Sequence, residues 1–274
     1  MPYSEHNGSS FYFVEKGSGV PFIFQHGLGG SVDQIIKIYS PPPGVRLITF
    51  DFRGHGNTSP AAKDQYNFKT SADDISALMD HLQIDKAIVG GISMGAGVAL
   101  NFALRYPSKI IALFLSRPAW LDAPMEPQIR EIYGTIATML RKHGRVKGRQ
   151  FFIVSDQYKK ISEESLSTAL SFAGQFNYGK AAETADKFEC FPADAPANDR
   201  SEWEKISVPT LVLANKSDPV HPFKYGLEYA KNIPDAVFKQ ITPKSINEEE
   251  HNSNVQTYTD GFIKDVLEKN QNKV

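Results

Sequence analysis

The 274-residue chain has little cysteine, no excess of charge of one sign and no long hydrophobic run. Cys190 is the single cysteine, so neither an intrachain disulfide nor an all-cysteine metal site can form. A reducing compartment fits this composition. No apolar stretch approaches the about 20 residues that cross a bilayer, and the N-terminal sequence has no signal-peptide pattern. We therefore expect a soluble, unexported cytoplasmic protein with no membrane partner.

Charge and motif patterns exclude further classes of ligand. The 30 basic and 31 acidic residues nearly cancel, so the sequence offers no basic surface for nucleic acid. Residues 91–97 are glycine-rich but lack the lysine of a phosphate-binding loop, and no histidine or carboxylate spacing resembles a metal site. We expect a small-molecule substrate and neither a cofactor nor a metal, while the oligomeric state is left open.

What is present is a regular alternation of short apolar runs, which predict strands, with segments of helical periodicity. Ser71, followed three residues later by Asp74, matches the capping-box spacing and predicts the start of the second helix. Such alternation predicts an α/β fold, with a mostly parallel sheet, helices on both faces and ligands at the carboxyl ends of the strands. Strands are predicted at 11–14, 20–24, 46–50, 86–89, 110–115, 210–214 and 236–241, and helices at 31–39, 72–82, 94–105, 224–231 and 254–269.

The alternation stops at about residue 118 and resumes near 207. Helical patterns without intervening strands predict an inserted helical cap over residues 118–207, with a core formed by residues 1–117 and 208–274. The alternative is a packing subdomain without substrate contact. No basic cluster in the cap indicates a charged substrate. Its aromatic residues either line a pocket or fill the cap's own core: Phe151, Phe152, Tyr158, Phe172, Phe176, Tyr178, Phe188 and Phe191.

The pentapeptide GISMG at residues 91–95 lies between a predicted strand and a predicted helix. This is the setting of a nucleophile elbow, in which glycines allow a sharp turn and the central serine is held in a strained conformation. Ser93 is therefore the candidate nucleophile. The alternative is a small residue needed only for tight packing.

A serine nucleophile needs a base and an acid that orients the base. Asp218 follows the strand at 210–214, and His251 follows the last predicted strand and precedes the final predicted helix. The chain order Ser, Asp, His is the one expected for this architecture. Asp218 could instead be a turn residue before a proline, and Asp122 is a rival acid. His221, only three residues past Asp218, is interpreted as a loop residue.

Four segments together resemble the α/β-hydrolase fold superfamily, close to its esterase, enol-lactonase and haloperoxidase-like members. They are QHGLGG at 25–30, DFRGHG at 51–56, the elbow, and NKSDPV at 215–220. The resemblance covers residues 11–117 and 208–269. It implies an oxyanion hole formed by the backbone N–H groups of Leu28 and Met94, and it leaves open a substrate contact by His26. It also puts His251 in question, because the family usually has glycine before this histidine and Glu250 stands there.

The sequence therefore predicts a serine hydrolase that cleaves a small carboxylic ester or lactone through an acyl-enzyme on Ser93. The same machinery would also serve thioesters or C–C bonds. Two other classes remain: a hydrolase-like receptor or binding protein with slow or no turnover, and a scaffolding protein that has lost its chemistry.

Overall fold

The computed structural model describes the backbone of residues 3–271 and side chains as far as Lys269. Over this range the central feature is one eight-stranded sheet with the order β1-β2-β4-β3-β5-β6-β7-β8. β2 is antiparallel to its neighbours β1 and β4, and the other pairs are parallel. The predicted mostly parallel sheet is confirmed. The strands are β1 (Tyr3–His6), β2 (Ser9–Gly17), β3 (Gly19–Gln25), β4 (Gly44–Phe50), β5 (Ala87–Ile92), β6 (Ile110–Ser116), β7 (Thr210–Ala214) and β8 (Ala236–Gln240).

Helices cover both faces of the sheet, as predicted. Those in the described range are α1 (Val32–Ile38), α2 (Phe68–His81), α3 (Met94–Arg105), α4 (Pro127–Ile153), α5 (Asp156–Glu164), α6 (Leu166–Gly174), α7 (Lys187–Ala193), α8 (Phe223–Asn232) and α9 (Glu248–Gln271). Residues of α1 and α9 share one buried apolar cluster, and residues of α2 and α3 belong to the other. None of these helices combines the length and apolarity needed to cross a bilayer.

The strand register brings several loops to one edge of the sheet. Gln25 at the end of β3 is opposite Gly91, and Ile92 at the end of β5 is opposite Ser116. Ser116 at the end of β6 is opposite Leu213 in β7. Because parallel strands all point the same way, the loops after β3, β5, β6 and β7 leave the sheet side by side.

Two predicted helix starts are wrong. Asn67, not Ser71, caps α2, because its side chain accepts a hydrogen bond from the Thr70 N–H; Ser71 and Asp74 lie inside the helix. The capping-box spacing was therefore coincidental, and Asp74 instead binds the guanidinium of Arg53. The last helix begins at Glu248, about a turn and a half before the predicted start, so its first turn includes residues expected in a loop.

The chain between β6 and β7 forms helices α4 to α7 and, within its described residues 117–209, no strand. Five of its eight predicted aromatic residues are buried in the apolar cluster that continues from the core: Phe152, Phe172, Phe176, Phe188 and Phe191. Phe151 is exposed. Most of these aromatic side chains therefore fill the inserted region.

Candidate active site

Ser93 occupies a sharp turn between β5 and α3, with φ 57° and ψ −114°. This positive φ is strained for a residue with a side chain. The turn is held because the Ser93 N–H donates to the Ser116 carbonyl at 3.0 Å. A Cβ on Gly91 would lie 2.2 Å from the Gly95 carbonyl carbon, and one on Gly95 would lie 2.6 Å from the Gln25 carbonyl oxygen. The glycines are thus required by close backbone packing, as the sequence predicted.

Ser93 lines a cavity of about 500 Å³ at the carboxyl edge of the sheet. Asp218, His221 and His251 line the same cavity. Across residues 3–269 the Ser93 hydroxyl has no hydrogen-bond partner, and it is not among the buried polar atoms that lack one, so it is accessible from the cavity. The structure therefore brings the three predicted catalytic residues to one cavity and adds a second imidazole.

Asp218 binds His221 rather than His251. One Asp218 carboxylate oxygen accepts hydrogen bonds from the N–H groups of Val220 at 3.1 Å and His221 at 3.2 Å, and the other lies 2.9 Å from His221 Nδ1. Burial alone would raise the Asp218 pKa, but His221 and the Arg117 guanidinium hold it well below its usual range. Asp218 is therefore a carboxylate at neutral pH.

The His221 ring is closely packed, which the sequence-based interpretation as a loop residue did not anticipate. Because Asp218 accepts the hydrogen of Nδ1, the other ring nitrogen, Nε2, is left as an acceptor. Nε2 is buried and has no partner among the described residues. Burial lowers the pKa of His221; the Asp218 charge opposes this shift and the Arg117 charge adds to it. The imidazole is thus neutral near pH 7.

His251 lies in the first turn of α9, not before the helix as predicted, and only 4% of its surface is exposed. Its Nδ1 donates to the Thr242 carbonyl at 2.8 Å, which leaves Nε2 with a free electron pair. Nε2 is not among the buried atoms without a partner, so it is accessible from the cavity. Burial, helped by the nearby Arg117 charge, lowers its pKa to about 4. A backbone carbonyl thus orients this imidazole, where Asp218 was expected to do so.

The loop after β3 lies directly against Ser93. A Cβ on Gly27 would lie 3.3 Å from Ser93 Cβ, and the Gly27 N–H is held by Gln34 Oε1 at 2.9 Å. In the described part of the chain neither the Leu28 N–H nor the Met94 N–H donates a hydrogen bond. Two unused amides beside Ser93 are the arrangement that an oxyanion hole requires.

The same loop touches the inserted region at Gly29. Gly29 has a φ of +75°, and an added Cβ would lie 1.5 Å from Gln175 Oε1, just after α6. No side chain larger than hydrogen fits here without moving Gln175. The predicted oxyanion loop and the inserted helices are therefore in direct contact.

His26 does not line the cavity. Its ring is fully buried, its Nδ1 donates to the Gly27 carbonyl at 2.8 Å, and its Nε2 accepts from the Phe52 N–H at 3.1 Å. With both nitrogens occupied, the imidazole fixes the loop that precedes Leu28. The substrate contact that the sequence left open for His26 is not supported, because its ring is fully buried.

Asp122, the rival acid, is also outside the cavity. Its carboxylate pairs with Arg200 at 2.8 Å and borders a separate cavity of about 290 Å³. It therefore lies apart from Ser93.

Among the described residues, the charged side chains that line the Ser93 cavity lie outside residues 118–207. They are Lys37, Arg117, Asp218, Lys244 and Glu248. No basic cluster in the sequence indicated these cations, because they lie on three segments far apart in the chain. Lys37 is in α1, Arg117 follows β6, and Lys244 follows β8.

The family profile of the alpha/beta hydrolase fold matches residues 20–256. The chain belongs to this family. It is 31% identical over 242 residues to the AB hydrolase superfamily protein YisY of Bacillus subtilis, covering 81% of this chain and 83% of that protein. It is 26% identical to a 2-hydroxy-6-oxo-6-phenylhexa-2,4-dienoate hydrolase of Burkholderia cepacia, covering 81% and 79%.

Solved structures agree on the fold. The enol-lactonase of Burkholderia xenovorans superposes with a TM-score of 0.69 at 22% identity, covering 97% of this chain and 98% of that one. An esterase of Exiguobacterium antarcticum gives a TM-score of 0.71 at 20% identity, covering 95% and 97%. The predicted α/β-hydrolase fold is confirmed, and the chain is a hydrolase-family protein.

Proposed function

We propose that this protein is a serine hydrolase that cleaves a small carboxylic ester or lactone through an acyl-enzyme on Ser93. The observation that carries the proposal is the strained, accessible Ser93 in a cavity that also contains two neutral imidazoles and a carboxylate. An enol-lactonase and esterases among the structural neighbours support the same reaction class. Residues 118–207 act as the cap of this site.

His251 is the proposed base. Its Nε2 has a free electron pair and is accessible from the cavity that Ser93 Oγ faces, whereas His221 Nε2 is fully buried. In an apo site the bond between nucleophile and base is often long and tightens only with substrate. Asp218 contributes its negative charge to stabilise the imidazolium and, through its hydrogen bonds, holds the loop that includes His221.

The reaction proceeds in two halves. His251 Nε2 takes the Ser93 hydroxyl proton as Oγ bonds to the carbonyl carbon, and the tetrahedral oxyanion is bound by the Leu28 and Met94 amides. Collapse breaks the bond to the alcohol oxygen, which receives the proton from His251. Water then loses a proton to His251 and attacks the acyl-enzyme, and the second collapse returns that proton to Ser93 Oγ and releases the acid.

The test is a panel of aryl esters of graded acyl length beside simple lactones, assayed with the wild type and the Ser93→Ala variant. Loss of the nucleophile should lower turnover by at least about 10⁴-fold. It should also abolish covalent labelling by a fluorophosphonate. Ser245 lines the same cavity, so labelling that persists in Ser245→Ala is the matched control. Turnover retained by Ser93→Ala would disprove the proposal.

Two outcomes would assign a different class. A burst of one product per chain, followed by no further turnover, would indicate a receptor that keeps the acyl group. Absence of labelling in the folded wild type would indicate a scaffold. Thioester and C–C substrates are added to the panel, because the same nucleophile and oxyanion donors would activate them.

A further inference from the structure

Arg117 and Lys37 line the cavity and have no ion pair among the described residues, and of these two cations Arg117 has a buried donor. Of the two carboxylates in the cavity wall, Asp218 is paired with His221 at 2.9 Å and Glu248 with Lys244 at 3.0 Å. Within residues 3–269 the Arg117 guanidinium forms neither an ion pair nor a hydrogen bond, and its Nε is buried without an acceptor. Of the guanidinium nitrogens, Nε is the buried one without a partner, and buried donors in native proteins are almost always satisfied.

The backbone holds Arg117 at the edge of the sheet in a strained conformation. Its φ is +47°, in the left-handed region that disfavours residues with a side chain. Its N–H donates to the Leu213 carbonyl at 2.7 Å, which continues the pairing of β6 with β7 for one residue beyond Ser116. Pro118 follows and cannot donate a hydrogen bond. A strained residue held on a central strand is a rigid support for a binding group.

The charge of Arg117 acts directly on the proposed catalytic groups. Burial is the largest influence at each of them, and the charge of Arg117 lowers the pKa values of Asp218, His221 and His251. Burial opposes it only at Asp218, where it would raise the pKa. The guanidinium lines the same cavity as Ser93 and His251, where an unpaired positive charge is unfavourable unless a ligand supplies the partner.

We propose that Arg117 binds a carboxylate of the substrate, so that the protein acts on acidic esters or lactones, such as half-esters of short dicarboxylic acids. This inference rests on the proposed hydrolysis at Ser93. The planar fork of the guanidinium matches the two oxygens of one carboxylate. Lys37, in the same cavity wall, adds a second positive charge to the path of entry.

The first measurement needs no variant. The kcat/KM of a 4-nitrophenyl hydrogen glutarate is compared with that of its methyl ester, which has the same chain without the charge. A second pair, 4-carboxyphenyl acetate and its methyl ester, carries the charge on the leaving group, so the two pairs show on which side of the scissile bond it binds. We expect a preference of about 10- to 100-fold for one acid, the usual worth of a hydrogen bond to a charged group. No preference for either acid would overturn the proposal.

The second measurement assigns the preference to Arg117. Arg117→Met should bring the ratio of acid to methyl ester close to one, and Arg117→Lys should restore part of it. Arg46→Gln is the control, since Arg46 pairs with Glu15 at the surface of β2 and β4. If Arg117 acted only through the pKa of the imidazoles, Arg117→Met would change both substrates equally and leave the ratio as in the wild type. That result would also overturn the proposal.

Binding to the Ser93→Ala protein separates this inference from the proposed function. Titration calorimetry with both intact acids, the glutarate half-ester and 4-carboxyphenyl acetate, should show that at least one of them binds at least tenfold more tightly than its methyl ester. Adding Arg117→Met should remove the difference. If wild-type turnover is absent but this difference is present, the hydrolase proposal fails and the carboxylate site stands. If turnover is present and the difference is absent, only the carboxylate site fails.

Discussion

The two walls of the catalytic cavity differ in chemistry. The wall from the sheet and its flanking loops supplies Ser93, both imidazoles and the charged side chains, among them Arg117 and Asp218. The wall from the inserted helices is uncharged over its described residues: Tyr133, Ser167, Thr168, Leu170, Ser171, Phe172 and Gln175. The groups proposed to react with the substrate and to bind its charge thus come from the core, whereas the inserted helices present an uncharged surface to the cavity.

The largest expected effect tests which imidazole of the core wall is the base. His251→Gln cannot take a proton at neutral pH, so kcat/KM for an aryl ester should fall by about 10³-fold. His221→Gln keeps a hydrogen-bonding side chain next to Asp218 and should cost only about tenfold. Steady-state kinetics with both variants measure this. The reverse order would assign the base to His221 and leave the role of Ser93 intact.

The pH dependence of kcat/KM is a second test of His251 as the base. His251 must be neutral to accept a proton, and burial together with Arg117 lowers its pKa to about 4. We therefore expect kcat/KM to stay level on acidification until about pH 5 and to fall around pH 4 with the loss of one neutral base. A fall already near pH 6.5 would contradict the assignment.

Two glycine substitutions compare how tightly core and cap are packed. In the core, a Cβ on Gly95 meets backbone oxygens of Gln25 and His26 at 2.6 and 2.7 Å, so Gly95→Ala should destabilise the protein by about 1–3 kcal/mol. In the cap, Gly134 lies inside α4 with no atom within 4 Å of an added Cβ. Gly134→Ala should stabilise it by about 0.5–1 kcal/mol, because alanine is the better helix former. Urea denaturation measures both, and changes of the same sign would refute the comparison.

Lys187 joins the two regions through a buried charge. Its ammonium, on α7 of the cap, donates to the Gly54 carbonyl of the core and to Thr184 Oγ1, and no carboxylate pairs with it in the described residues. Burial lowers the pKa of Lys187 to about 7 in the folded protein. In the unfolded chain a lysine has its ordinary pKa of about 10.4. Between these values the unfolded state binds more protons.

The free energy of unfolding should therefore rise between pH 7 and pH 9, with a contribution from Lys187 of up to about 1.4 kcal/mol per pH unit. Lys187→Met lacks this proton and should lose that part of the rise. Urea titrations of both proteins at pH 7, 8 and 9 give the two slopes. Equal slopes would show that Lys187 remains charged in the folded protein.

The smallest expected effect concerns the neutral cap wall. Leu170 lines the cavity and is 53% exposed, so Leu170→Ala should change the free energy of unfolding by less than about 0.5 kcal/mol. It should raise KM for the longer acyl chains a few-fold. Leu170→Glu adds a negative charge opposite the core cations and should disfavour acidic substrates relative to their methyl esters. If Leu170→Glu lowered kcat/KM equally for the acids and for their methyl esters, a charge on the cap would have no influence on the charge preference.

Much of the core was predictable from sequence because its signals are local. Apolar runs bounded by turn residues located seven strands, and 210–214 and 94–105 agree with β7 and α3 at both ends. β1 was missed because its four residues, YSEH, alternate weakly and are mostly polar. The elbow was recognisable because Gly91 packs against Gly95 within five residues, whereas the contact of Gly95 with Gln25 depends on the folded sheet.

The partners within the site were not predictable, because they depend on how loops fold. The spacing of Asp218 and His221 does not reveal that the carboxylate turns back to its own loop, nor that the Thr242 carbonyl binds His251. Arg117 was passed over for a similar reason. Its significance lies in having no partner, and an unpaired charge is a property of the assembled cavity.

The contact between Gly29 and Gln175 also has a consequence for engineering. Because Gln175 Oε1 lies 1.5 Å from where a Cβ on Gly29 would be, the loop that carries Leu28 packs directly against this side chain of the inserted region. A chimaera that takes its cap from a relative would have to supply a side chain of matching shape at this position. Otherwise a graft meant to alter only substrate preference would also disturb the Leu28 amide.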